Sequence, residues 1–156
     1  MAELSGHGLH LPLPGGWEGQ VFRRFSEGAI THAVLHAANF PLPPVRGDFG
    51  SGAVEVMGPG HSLLVLFEHE PAAAGKPLFA AALRPLRPED FSPNGLQRMR
   101  PGQSGTQQFF SRTGRAFTLY AVLGSHAQSV SLGPALNAVL ASLRVEPPVA
   151  AGVDAS

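Results

Sequence analysis

Seven histidines are the residues of this sequence that most readily suggest chemistry. His32 and His36 are four apart. On a helix that spacing brings two imidazoles within about 6 Å, close enough to share an ion. On a strand the same residues stand about 13 Å apart and cannot. Val34 and the neighbouring Ile30 and Thr31 favour a strand there, which leaves His32 and His36 as two half-buried sheet histidines. His7 and His10 make a His-x-x-His pair, a spacing that in a flexible segment collects metal adventitiously. Glu68-His69-Glu70 places two carboxylates on one face of a strand and an imidazole on the other, so it is not a local triad. It reads as the solvated rim of a strand, or as part of a ligand set completed by distant loops.

Two glycine-rich stretches invite other chemistry. Pro101-Gly102-Gln103-Ser104-Gly105 approaches a nucleophile elbow, but its spacing differs and it precedes a strand where the elbow needs a strand, a sharp turn and a helix. Gly47-Asp48-Phe49-Gly50-Ser51-Gly52 lacks the Gly-Lys-Ser/Thr ending of a phosphate loop and the third glycine of a dinucleotide fingerprint. It reads as a flexible loop. Cysteine is absent, which excludes thiol catalysis, disulfides, iron–sulfur clusters and cysteine-held zinc. These stretches assign no catalytic residue, no metal site and no cofactor.

Charge is more informative in its distribution. Eleven basic and eleven acidic residues balance, and charged residues are only 14% of the chain. That balance argues against a nucleic-acid binder and against a polybasic membrane anchor. Arg84, Arg87, Arg98, Arg100, Arg112 and Arg115 nevertheless concentrate in one stretch that holds only Glu89 and Asp90 in opposition. Arginine suits the gripping of carboxylates at an interface. This stretch is the candidate partner-binding surface, the alternative being that long loops simply gather charge. Phe109 and Phe110 are adjacent and point to opposite faces of a strand, so one of them, with Thr118 and Tyr120, either adds an aromatic patch or belongs to the core.

The elements that must position these residues lie between clusters of breakers: 19 glycines and 15 prolines punctuate 156 residues. Trp17 to Arg24 reads as a strand, Ile30 to Asn39 as a second, and Ser62 to His69 as a third. Leu63 to Phe67 is apolar without alternation, as suits a central strand buried on both faces. Thr106 to Ser111 and Arg115 to Gly124 read as a hairpin turning near Gly114. Pro134 to Leu143 carries the helical stripe Leu136, Val139, Leu140 and Leu143, with Ser131 as a cap. Arg144 and Val145 read as a short last strand. Ser51 to Met57 is a short helix or a loop, and Lys76 to Leu86 a strand or a helical turn. One α+β domain over 9–146 follows, with a flexible leader at 1–8 and a disordered tail at 147–156. The N-terminus does not read as a signal peptide, and Leu63 to Phe67 is too short to insert in a membrane, so the reading is cytoplasmic.

This order of elements resembles the PsbP-like fold superfamily. The resemblance is carried by Leu11-Pro12-Leu13-Pro14-Gly15-Gly16-Trp17, by Gly114-Arg115-Ala116-Phe117-Thr118-Leu119-Tyr120, and by Val139-Leu140-Ala141-Ser142-Leu143-Arg144-Val145. It implies an α/β/α sandwich around a mostly antiparallel sheet of about six strands. That superfamily includes extrinsic photosystem subunits, a Ran-binding release factor, bacterial lipoproteins and secretion-effector chaperones. What it implies is binding within an assembly; it transfers no catalytic residue. The expected function is therefore a non-enzymatic protein-binding module, an accessory subunit or chaperone in a bacterial assembly, with a protein partner or a second copy as its ligand. The alternative is a small metal-dependent or hydrolytic enzyme, which requires His32, His36, His61, His69 and His126 to converge with loop carboxylates in one cleft.

Overall fold

The computed structural model describes residues 2–23, 25–26, 29–30 and 32–148. Its centre is a five-stranded antiparallel sheet. In spatial order this sheet runs β3 (Glu18–Phe22), β6 (Val34–Ala38), β7 (Ser62–Glu68), β9 (Arg115–Leu123) and β8 (Ser104–Arg112). The middle strand, β7, is the apolar run Leu63 to Phe67, and β9 beside it is buried along its whole length. A second antiparallel sheet stacks β1 (Ala2–Gly6), β2 (Leu9–Leu13) and β10 (Arg144–Val145). A two-residue pair, β4 (Phe25–Ser26) with β5 (Ala29–Ile30), stands apart from both.

Turn chemistry fixes both tight hairpins. Thr113 and Gly114 have φ of 51° and 81°, and His7 and Gly8 have 50° and 80°. Two successive positive φ values are what a two-residue hairpin needs to follow the twist of its strands. The β8–β9 register, Arg112 opposite Arg115 and Phe110 opposite Phe117, follows from the first turn.

Strand alternation sorts the core into two faces. Leu35, Leu64, Leu66, Phe117, Leu119 and Leu123 point one way and pack against Leu9, Leu11 and Leu13 of β2. Leu136, Val139 and Leu140 of α1 (Ser129–Ala141) close the same core. The helix begins one turn earlier than its apolar stripe predicts. Pro134 falls inside it and forgoes the bond to the carbonyl of Val130. Leu63, Val65, Tyr120 and Val122 point the other way, onto Phe40, Ala53 and Val54 of the long loop after β6.

The expected α/β/α sandwich is overturned. The molecule is mostly β, with eight strands in two antiparallel sheets of three and five strands and, among the described residues, a single α-helix. The α+β class and the helical layers implied by a PsbP-like domain fail with it. The physical reason lies in the breakers. Ser51 to Met57 yields only the 3-10 turn Val54–Val56, and the stretch after β7 only the turns Pro71–Gly75 and Pro77–Phe79. Gly52, at a φ of 97°, breaks the first stretch and Pro77, without an N–H to donate, cuts off the second, so irregular loops stand where a second helical layer was expected.

The ends differ from expectation too. Ala2–Gly6, read as a leader, is a strand paired along its length with β2. The tail expected to be disordered, 147–156, lies outside the described residues from position 149 onward.

Candidate functional site

The arginine-rich stretch does not form one surface. Arg84 and Arg87, both exposed, pair with Asp90 at 3.1 and 3.4 Å, and the backbone N–H of Arg87 donates to the same carboxylate at 2.9 Å. Burial alone would push the Asp90 carboxyl up, but these donors and the Arg84 charge outweigh it and hold it below its ordinary value. Arg112 donates to the carbonyl of Leu143, tying the hairpin to the chain that leaves α1. Arg115 is buried. Phe110 is buried as well, stacked on Phe117 at 5.4 Å. Of the residues read as a contact surface, Arg115 and Phe110 are therefore interior.

Arg98 and Arg100 remain. They line a groove of about 370 Å³ between the 47–55 loop and the segment leading into β8. Among the described residues neither guanidinium has an ion-pair or hydrogen-bond partner. The floor is aromatic: Tyr120 meets the Phe49 ring edge-on at 6.1 Å, and its hydroxyl accepts the Gln97 N–H at 2.8 Å. Burial raises the pKa of that hydroxyl. Gln103 Nε2 donates to the Val54 carbonyl at 2.9 Å and ties the two walls together. Glu55 accepts from the backbone N–H of Gly52, whose φ of 97° is natural only to glycine. Exposed Val56 and Met99 are the sequence neighbours of the lining residues Glu55, Arg98 and Arg100.

A second concavity lies where β7 and β9 run out. Glu68 and Arg115 form a two-pronged ion pair there, Nε to Oε2 at 2.7 Å and Nη2 to Oε1 at 2.8 Å. Arg115 also donates to the carbonyls of His7 and Glu146, and Glu68 accepts from the Ala33 N–H. Burial pushes the Glu68 carboxyl up, but Arg115 and that N–H more than reverse it, so its pKa is lowered. Glu68 is thus an interior ion, where the sequence reading made it the solvated rim of a strand.

Two cavities, of about 610 and 620 Å³, share His32 and Glu68 as walls, and Arg115 lines the first of them. His7 and Arg23 line the first. Phe67, His69, Phe79 and Phe109 line the second. The aromatic rings form a chain, Phe49 to Phe67 at 5.0 Å, Phe67 to His69 at 5.2 Å, His69 to Phe79 at 4.9 Å and Phe79 to Phe109 at 5.9 Å. His69 Nε2 lies 2.7 Å from Thr118 Oγ1, and burial lowers its pKa.

The five histidines of the enzymatic alternative do not converge. His32 and His69 share a cavity, but His36 is bonded to the Asp48 carbonyl at 2.7 Å and receives Arg46 Nε on Nδ1 at 2.9 Å. His61 stacks on Phe40 and accepts the Gly58 N–H, and His126 opens the 3-10 turn before α1. Among the described residues no three His, Asp or Glu side chains are grouped so as to hold a metal ion. Among them, too, no helix is long and apolar enough to cross a membrane.

Sequence reasoning missed Arg23, Phe79 and the pairing of Glu68 with Arg115. The last joins residues 47 apart in the chain and leaves no local signal. The apolar type of Phe79 was visible but its place beside His69 was not. No family model, curated protein or solved structure matches the chain.

Proposed function

We propose that this protein is a binding module, an accessory subunit or chaperone of a bacterial assembly, that grips an acidic segment of a protein partner along the Arg98–Arg100 groove. One observation carries the reading: two guanidiniums line an aromatic-floored groove, and although Asp48 and Glu55 line it too, among the described residues no carboxylate lies within ion-pair distance of either. A carboxylate supplied by a partner would form charge-assisted, two-pronged bonds with them. Half-buried Phe49 and exposed Met99 offer aromatic and apolar contact area of the kind concentrated at interface centres. The low charge of the chain supports the same reading.

The test is affinity capture from the native host with wild type and with the double variant Arg98→Glu/Arg100→Glu. A stoichiometric partner lost in the variant, with an unchanged melting temperature, supports the reading. Equal capture by both proteins, or a clean monomer with no partner, overturns it.

A further inference from the structure

The twin cavity at the end of β7 and β9 has a chemistry of its own, independent of the Arg98–Arg100 groove. Its carboxylates are already matched within the chain. Glu68 is held by Arg115 and Glu70 by Lys76 at 3.4 Å, while Glu146 is hydrogen-bonded to the His10 imidazole at 2.8 Å. Arg23 is not matched: among the described residues no carboxylate lies within ion-pair distance of it. Among the described residues Arg23 is therefore the fixed cation of the concavity that has no carboxylate beside it, and it stands at one end. Its other end is apolar, walled by Phe79, Phe109 and the exposed Leu78.

From this asymmetry we infer that the twin cavity binds an amphipathic monocarboxylate, with the carboxylate at Arg23 and an apolar body of about ten carbons lying toward Phe79 and Leu78. A single guanidinium balances one negative charge, and a carboxylate presents one in the planar form that a guanidinium grips with two bonds. A phosphate dianion would need a second unmatched cation. Two imidazoles that flank the route, His7 and His69, supply none: burial lowers the pKa of both, the former with help from the nearby Arg23 and Arg115 charges. They offer neutral hydrogen-bonding groups instead. Glu68, held by Arg115, lines both compartments and keeps the wall polar at the junction, where a carboxylate head would turn into its apolar body.

Calorimetric titration of the full chain with decanoate tests this, with decanol and decylammonium as probes of the same length. Saturable one-to-one binding of decanoate is expected, at least tenfold tighter than decanol, with none of decylammonium. Arg23→Glu and Leu78→Asp alter exposed side chains, so melting temperatures should hold while decanoate affinity falls at least tenfold in each. Arg98→Glu/Arg100→Glu should bind decanoate as wild type does, which keeps this outcome separate from that of partner capture. Absence of saturation, equal affinity for decanol, full binding by Arg23→Glu or by Leu78→Asp, or an equal loss in the Arg98→Glu/Arg100→Glu protein each overturns the inference.

Discussion

Arg115 and Glu68 face each other across neighbouring strands with two parallel bonds, of 2.7 and 2.8 Å, and side-chain exposures of only 7% and 10%. Their alkyl stems close the end of the apolar core, and the Arg115 guanidinium lies 5.7 Å from the centre of the Phe117 ring. Removing one partner leaves a charge in a poorly solvated place, which typically costs about 3–5 kcal/mol. Arg115→Met and Glu68→Leu should each lower the free energy of urea unfolding by that order. The double variant should recover more than half of the loss, short of all of it because the bonds from Arg115 to the His7 and Glu146 carbonyls are also gone. Additive losses in the double variant would show that the two side chains do not act as a pair.

Acid should act in two stages. His69 and His7 have pKa values lowered from 6.5, so the unfolded chain takes up protons there before the folded one does. Their contribution to stability is complete above about pH 6.5 and declines as pH falls below it. Glu68 and Asp90 are lowered from 4.5 and 3.8, and their contribution declines over that more acidic range. Urea midpoints measured at pH 7.5, 5.5 and 4 should fall in that order. A rise between pH 7.5 and 5.5, or a fall there undiminished in His69→Gln, would refute the first stage.

Ser104 is fully buried, and its hydroxyl has no hydrogen-bond partner among the described residues. A buried hydroxyl without a partner is destabilising by about 1 kcal/mol or more. Ser104→Ala should therefore raise the melting temperature by a few degrees. A drop of similar size would mean that the hydroxyl is satisfied in solution.

Strand β8 is an edge of the main sheet, and the chain covers it with its own loop. Ser92 exchanges two backbone bonds with Gly105, and Ala81 accepts from the Ser111 N–H. Gly95 lies so close that a Cβ there would run into the Gly105 carbonyl. Gly95→Ala should destabilise by about 1–3 kcal/mol and speed amide exchange at Ser92 and Gly105. Gly75→Ala, where a Cβ meets nothing, is the control and should change neither. Unaltered exchange in Gly95→Ala would show that the loop yields without leaving the edge.

The strands that carry dense apolar or alternating residues were legible: Leu63 to Phe67 marked the centre of the sheet, and Gly114 marked the hairpin turn. Strand β1 was not, because Ala2–Gly6 contains one large apolar residue, Leu4, and its pairing is set by β2 rather than by its own pattern. The error over layers has a similar origin. Periodicity shows that a strand is buried on both faces, but says nothing about whether a helix or a proline-broken loop does the burying. At the candidate sites the arginines were visible as a type, yet only the fold shows which of them are already engaged. Arg84 and Arg98 look alike in the sequence and differ in that Asp90 lies beside one of them.

Strand β10 rests on Leu9 and His10, so the small sheet is completed by residues from opposite ends of the described chain. Contacts of that sequence separation close late, because the chain between must first lose most of its freedom. The β8–β9 and β6–β7 pairings are local by comparison and can form while the small sheet is still open. Refolding should then show the five-stranded sheet protected early and Leu9 and Val145 protected last, with the β2–β10 contact acting as the latch that separates a collapsed chain from a finished one.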